Sequence, residues 1–388
     1  MDILRIMIFC SAIVILVYTY LIYPVLIKFI SLFFHNLNIE QEYYPSVSIL
    51  ISAYNEEKVI AQKIENIAKL NYDFDKIEVL IGSDCSEDNT NKILEEFKKK
   101  YIWLSVYLFD ERRGKALVLN DLVKNSKNEV LVFSDADTIF NCDIITYLSS
   151  HFNDPKVGGV SGRIILSEPE KNFNKSIEEK LYWGYEDFIK NSEGKCGIVI
   201  SANGGNYAIR RNLFINIPTE KAVTDDLFTT LAILKQGFKF LNDYNAIAFE
   251  DVANEVIDEY KRKKRYAATN FQTIAYFKEL IFNKNILISL ALWSHKIFRW
   301  ITPILFFLIF FINILLYHYN KYFDVLFYLQ LTFYLLALFG FILQKYKIRF
   351  RIFTFPFYFV FTNIAMSVGF SNFLFKKHTA YWESTPRN

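Results

Sequence analysis

The sequence predicts an α/β domain inserted between membrane-spanning helices, one before it and about three after it. Three observations predict this. Long uncharged apolar runs sit at both ends of the 388-residue chain. The middle alternates β-branched runs with segments that are apolar at helical spacing. Three of the β-branched runs end in polar or acidic clusters, so those clusters converge on one crevice at the carboxyl edge of a parallel sheet.

The elements follow in order. Residues 6–27 carry no charge and can cross a hydrocarbon core of about 30 Å. Their length, the late Tyr18, Tyr20 and Tyr23, and the lack of a small-residue cleavage pattern predict a retained anchor over 1–40 rather than a cleaved signal peptide. A soluble domain over 41–280 comes next. Val47 opens a β-branched strand that ends at Ala53-Tyr54-Asn55-Glu56-Glu57. Asn55 is expected to cap the following helix, in which Ile60, Ile64 and Ile67 recur at helical spacing. A second strand from Ile77 ends at Ser83-Asp84-Cys85-Ser86-Glu87-Asp88, and a helix bearing Ile93, Leu94 and Phe97 follows. A third strand runs to Phe109, and Gly114-Lys115 leads into a helix through Leu117 and Leu122. The fourth strand, Val130-Leu131-Val132-Phe133, delivers Ser134-Asp135-Ala136-Asp137. Strands alternating with short helices imply parallel pairing with right-handed crossovers.

Beyond the soluble domain, 281–299 mixes apolar residues with Trp293, Lys284, His295, Lys296 and Arg299, the pattern of a helix lying in the membrane interface. Runs near 300–319, 325–343 and 352–375 approach spanning length and complete a membrane region over 300–388. Pro356, Asn363 and Gly369 leave the last run open to being broken or re-entrant. Lys345, Lys347, Arg349 and Arg351 sit in one short loop, against Lys321 alone in the loop before it. The positive-inside bias therefore expects an integral protein of the cell (inner) membrane with the soluble domain in the cytoplasm. Tyr381 and Trp382 suit an interfacial belt.

Composition narrows the function. A net charge of +3 gives no ground for a nucleic-acid partner. Cys10, Cys85, Cys142 and Cys196 are scattered, which excludes a zinc cluster and fits a reducing compartment. No G-x-G-x-x-G follows the first strand, and Gly114-Lys115 lacks the rest of a P-loop, so nicotinamide oxidoreductases and P-loop ATPases are disfavoured. The apolar runs hold almost no internal charges, which disfavours an ion-coupled transporter. Asp135 and Asp137, hard oxygen ligands at i and i+2 on a strand end, suit Mg²⁺ or Mn²⁺ sharing oxygens with a diphosphate. Asp225 and Asp226 open a helix expected over 226–236, so one can cap it and leave the other free. Each cluster also has a bland reading: Asp84 and Asp88 as helix caps, Asp135 and Asp137 as a turn, the basic run before Tyr266 as a contact for lipid head groups.

Taken in sequence, Ala53-Tyr54-Asn55-Glu56-Glu57, Ser83-Asp84-Cys85-Ser86-Glu87-Asp88, Gly114-Lys115, Ser134-Asp135-Ala136-Asp137, Thr224-Asp225-Asp226 and Arg262-Lys263-Lys264-Arg265-Tyr266 resemble the GT-A domain of family 2 glycosyltransferases. The resemblance is to the membrane-embedded branch of cellulose synthase, hyaluronan synthase and bacterial exopolysaccharide synthases. It implies a Rossmann-like nucleotide-diphospho-sugar transferase fold, a UDP-sugar donor, a glycan or lipid acceptor at a bilayer, and Mg²⁺ or Mn²⁺. By the same resemblance Asp84 meets the nucleobase, Tyr54 and Glu56 line the nucleotide pocket, and Lys115 meets the diphosphate. Asp135 contacts the nucleotide and metal, Asp137 ligates the metal, and Asp226 is the catalytic base. Arg265 keeps its place in a Q-x-x-R-W pattern that here has Arg262 for Gln and Tyr266 for Trp, which puts processive synthesis in doubt. Asn203, Gly204 and Gly205, with Asp225 and Arg262, fall on the acceptor side, near Arg163 and the pair Arg210-Arg211. The expected reaction is inverting transfer of a sugar to a hydroxyl at the cytoplasmic membrane face, in polysaccharide synthesis. The alternatives are addition of a single sugar to a lipid, or a non-catalytic membrane partner keeping the fold.

Overall fold

The structure, a computed structural model, describes residues 1–34, 43–167, 176–251, 256–346, 348 and 350–375. Lys347, Arg349, Lys376, Lys377, Tyr381 and Trp382 of the expectations above lie outside the described residues. The described residues form two units, one from 1–26, 256–271 and 290–375, the other from 27–251 and 272–289.

The second unit is built on one eight-stranded sheet. Its strands are β1 (Val47–Ala53), β2 (Ile77–Asp84), β3 (Leu104–Phe109), β4 (Val130–Ser134), β5 (Ile139–Phe140), β6 (Val157–Ser167), β7 (Tyr207–Arg210) and β8 (Lys239–Asp251). Their spatial order is β3-β2-β1-β4-β7-β6-β8-β5. The first four pair in parallel through crossover helices, as the alternating pattern predicts. β1 shows why the pattern works: Val47, Ile49, Ile51 and Ala53 enter one apolar cluster with Ile60, Ile64 and Ile67, the inward stripe of the helix Ile60–Ile67. In the other half of the sheet the sequence predicts a strand ending at Glu250-Asp251, which is β8, but not the pairing. β7 runs antiparallel to β4 and to β6, while β8 pairs in parallel with β6 and antiparallel with β5.

Register decides what each strand end delivers. Ala53 pairs with Ser83 and Ile51 with Ser134, so the segments after β1, β2 and β4 leave the same edge side by side. In the antiparallel pair, Phe133 meets Tyr207 and Val130 meets Arg210. Residues just before Tyr207 therefore lie beside the Asp135 end, and Arg210 lies at the opposite edge.

Among the described residues four helices, with most of their length in the first unit, are long and apolar enough to cross a membrane: Asp2–Ser31, Ile286–Leu315, Lys321–Lys345 and Arg351–Leu374. The stretch expected as a separate interfacial helix, 281–299, is not a separate element. Residues from Ile286 onward form the first half of the 30-residue helix Ile286–Leu315. Arg351–Leu374 is continuous despite Pro356, which sits near its start. Phe9 and Ala12 of the first helix pack with Leu305, Ile309 and Ile312.

Candidate active site

Asp84 ends β2 and is buried. Its Oδ1 accepts the Arg113 N–H at 2.7 Å and its Oδ2 the Gly114 N–H at 2.9 Å. The Arg112 Nε–H also points at Oδ2, at 3.3 Å. The carboxylate thus fixes the loop that launches the helix Lys115–Asn125, whose cap, Gly114, takes φ +84°, a conformation glycine adopts without strain. Arg112, which sequence reading missed, lays its guanidinium 3.1 Å from the Tyr54 ring centroid. Glu56 is buried. Its N–H donates to Thr90 Oγ1, and its carbonyl accepts the first N–H groups of the following helix. Asn55 does not cap that helix. It sits at φ +54°, and its side-chain oxygen accepts the Glu87 N–H, tying the first strand end to the second. Asp88 ties the same loops, accepting the N–H groups of Glu57 and Thr90.

Lys115 is the meeting point of the remaining motifs. Its Nζ lies 2.8 Å from Asp135 Oδ1 and 2.9 Å from Asp225 Oδ2. Burial alone would lower the ammonium's pKa, but the two carboxylates outweigh it and hold the group charged, well above its ordinary value.

Asp225 and Asp226 open the helix Asp225–Lys235, one residue earlier than expected. Neither side chain is its cap, because Thr224 holds that position. They divide the work differently. Asp225 is ion-paired with Lys115, which it shares with Asp135, while Asp226 Oδ1 accepts only the neighbouring Leu227 N–H among the bonds described, at 2.6 Å. Burial, then the like charge of Asp225, pushes the Asp226 carboxyl up to about 6.

Gly204 and Gly205 lie between the acidic motifs. A Cβ on Gly204 would stand 3.1 Å from Asp226 Oδ2, and one on Gly205 would stand 2.4 Å from Thr138 Oγ1 and 3.5 Å from Asp135 Oδ2. Asn203 is a buried strut beneath them. Its amide donates to the Gly162 carbonyl, and its oxygen accepts from the buried Lys190. Arg163 is paired with Asp187 at 2.7 Å, its guanidinium over Tyr244. Arg210 and Arg211 do not join the cluster, since β7 carries them to the other edge, where they bind Val157, Glu129 and Ser126. Arg262 and Arg265 lie on the helix Val256–Tyr276, in the part belonging to the first unit.

Two partly exposed carboxylates, Asp135 and Asp137, form the acidic loop after β4. Among the described residues no group of three or more His, Cys, Asp or Glu is arranged to hold a metal. A site with two carboxylates fits a hard divalent cation that takes its other oxygens from a bound diphosphate and water. Behind the loop sits Lys63, also missed from the sequence. It is fully buried, donates to Ser134 Oγ at 2.7 Å and to the Thr138 carbonyl, and lies 3.6 Å from the Phe140 ring centroid. Burial pulls its ammonium down to about 7 against the attraction of Asp137 and Asp135.

Residues 48–217 match the profile of Glycosyl transferase family 2. The chain is 26% identical over 239 residues to the probable glycosyltransferase YdaM of Bacillus subtilis (strain 168), covering 60% of this chain and 57% of that protein. It is 26% identical over 224 residues to the poly-beta-1,6-N-acetyl-D-glucosamine synthase of Staphylococcus aureus (strain COL), covering 57% and 53%. The chain thus spans little more than half the length of these relatives. Among solved structures, the mannosyltransferase PcManGT from Pyrobaculum calidifontis, in complex with GDP-Man and Mn²⁺, superposes with a TM-score of 0.73 at 19% identity over 96% of this chain and 100% of that one. The likeness establishes the mixed, Rossmann-like GT-A sheet of the second unit.

Proposed function

We propose that this chain, which carries a family 2 glycosyltransferase domain, moves a sugar from a nucleotide-sugar, a UDP-sugar first, to a hydroxyl of a glycan or lipid acceptor at the cytoplasmic face of a membrane, with inversion. The observation that carries this reading is Lys115, whose one ammonium joins the expected donor motif at Asp135 to the expected base motif at Asp225-Asp226. The name of the staphylococcal relative supports a growing polysaccharide as acceptor. The complex of the Pyrobaculum calidifontis mannosyltransferase supports a nucleotide-sugar and a divalent metal.

Transfer breaks the bond between the anomeric carbon and the nucleoside diphosphate, and negative charge develops on the leaving oxygens. Lys115, kept charged by its neighbours, faces that charge and needs no reorganisation to do so. A divalent cation held by Asp137 and Asp135 would supply Lewis-acid stabilisation of the same diphosphate. The acceptor hydroxyl must lose its proton as it attacks, and Asp226 takes it. A carboxyl pushed up to about 6 is a stronger base than an ordinary aspartate and is still ionised at neutral pH. The Gly204-Gly205 backbone, having no side chains, can approach Asp226 and Asp135 closely, where donor and acceptor meet. With one base and direct attack, the anomeric configuration inverts.

The test is release of nucleoside diphosphate by the purified protein in detergent. A panel of UDP- and GDP-sugars is supplied with Mn²⁺ or Mg²⁺ and membrane extract as acceptor. Release from one donor supports the reading and names the sugar. No release from any donor contradicts it.

A further inference from the structure

The inward face of the helix Ile60–Ile67 reads Ile60, Lys63, Ile64, Ile67, an apolar stripe interrupted by one ammonium. Lysines are almost never fully buried without a reason, because desolvating the charge is costly. Lys63 is completely buried, and among the described residues no carboxylate forms an ion pair with it. Its hydrogens are used instead on Ser134 Oγ, the Thr138 carbonyl and the face of Phe140. Ser134 is the last residue of β4, and Thr138 immediately precedes β5. Between them stand only Asp135, Ala136 and Asp137. The ammonium therefore bridges the neck of the acidic loop from beneath, tying its entry to its exit.

We propose that Lys63 is a positioning residue, a strut that fixes the neck of the Ser134–Thr138 loop and so the spacing at which Asp135 and Asp137 present their carboxylates to the metal and the donor diphosphate. The proposal rests on reading those two aspartates as ligands. It differs from an ordinary buried hydrogen-bonded lysine, which would contribute to folding alone. It also differs from a purely electrostatic role, since a positive charge beneath the loop repels a cation.

The experiment is Mn²⁺ titration of the full chain in detergent, with UDP and in parallel with GDP, following the free Mn²⁺ signal by electron paramagnetic resonance. Lys63→Met keeps the length of the side chain and removes the strut. The strut account expects its Kd for Mn²⁺ to rise about tenfold or more, the scale seen when a group orienting a metal ligand is lost, with donor KM raised and acceptor KM unchanged. A Kd within about twofold of the parent, or a tighter one, overturns the proposal. Should Lys63→Met fail to fold, Ser134→Ala decides. It removes one end of the strut and is expected to weaken Mn²⁺ binding about threefold, on the order of one hydrogen bond, and unchanged binding overturns the proposal. Asp137→Ala separates the two layers of the argument. Mn²⁺ binding that survives in Asp137→Ala contradicts the aspartates as ligands, whereas binding lost there but unchanged in the Lys63 and Ser134 variants contradicts the strut alone.

Discussion

The Lys115 ammonium lies 2.9 Å from the Asp225 carboxylate, and this contact leaves the adjacent Asp226 as the carboxylate of the pair with no cation bound to it among the bonds described. Two neighbouring aspartates thus acquire different chemistry. One is held in an ion pair, and the other keeps a raised pKa and the character of a base.

Removing the ammonium should disable donor cleavage while leaving the fold intact. Lys115→Met is expected to lower kcat/KM for the donor about a hundredfold or more, the scale for losing a group aimed at developing charge. Steady-state release of nucleoside diphosphate checks this. A variant within about threefold of the parent would place Lys115 outside the reaction.

The base imposes a pH profile. Asp226 must be ionised to accept the proton, so kcat/KM should climb as pH rises through about 6 and level off above it. Asp225 is one cause of the raised value, so Asp225→Asn should move that limb to lower pH. A profile unchanged by the substitution contradicts the coupling.

The same carboxyl predicts a stability effect of opposite sign. The fold raises its pKa from 3.8 to about 6, so native protein binds this proton more tightly than unfolded protein does. The stability it contributes is present below 3.8 and is lost as pH rises through about 6. Asp226→Asn should therefore be more stable than the parent at pH 8, by about 3 kcal/mol, and match it at pH 3, below both values. Thermal melts at both pH values check it.

The glycine pair should tolerate nothing larger. A methyl at 205 would stand 2.4 Å from Thr138 Oγ1, closer than a real contact, so either Thr138 or the backbone between the acidic motifs must shift. Gly205→Ala is expected to lower kcat/KM about tenfold or more, since misplacement of reacting groups by an ångström can cost that much. Near-parent activity would mean the pair does not shape the site.

Much of this site could be read from the sequence because its first half is local. Val47 through Ser134 alternate strands and helices whose periodicities show directly, and parallel crossovers put Tyr54, Asp84 and Asp135 on one edge. The second half depends on long-range pairing. The antiparallel register of β4 with β7, which sets Gly204-Gly205 beside the acidic loop and sends Arg210 to the far edge, leaves no periodic trace. Arg112 reads as a solvated charge until its ring partner, Tyr54, is known. Lys63 did leave a signal, a charge at an apolar position of the helix stripe, but a lone lysine in a short helix usually means a face turned to water. The register of the Asp225–Lys235 helix differed by one residue because Thr224, not an aspartate, occupies the cap.

The central claim is that Asp137 serves donor binding while Asp226 serves proton transfer. Measuring donor affinity and nucleoside diphosphate release side by side in the parent, Asp137→Ala and Asp226→Asn tests it most directly. The account predicts that Asp226→Asn binds the donor like the parent but releases almost no diphosphate, and that Asp137→Ala loses both. Parent-like release from Asp226→Asn, or parent-like donor affinity in Asp137→Ala, would contradict it.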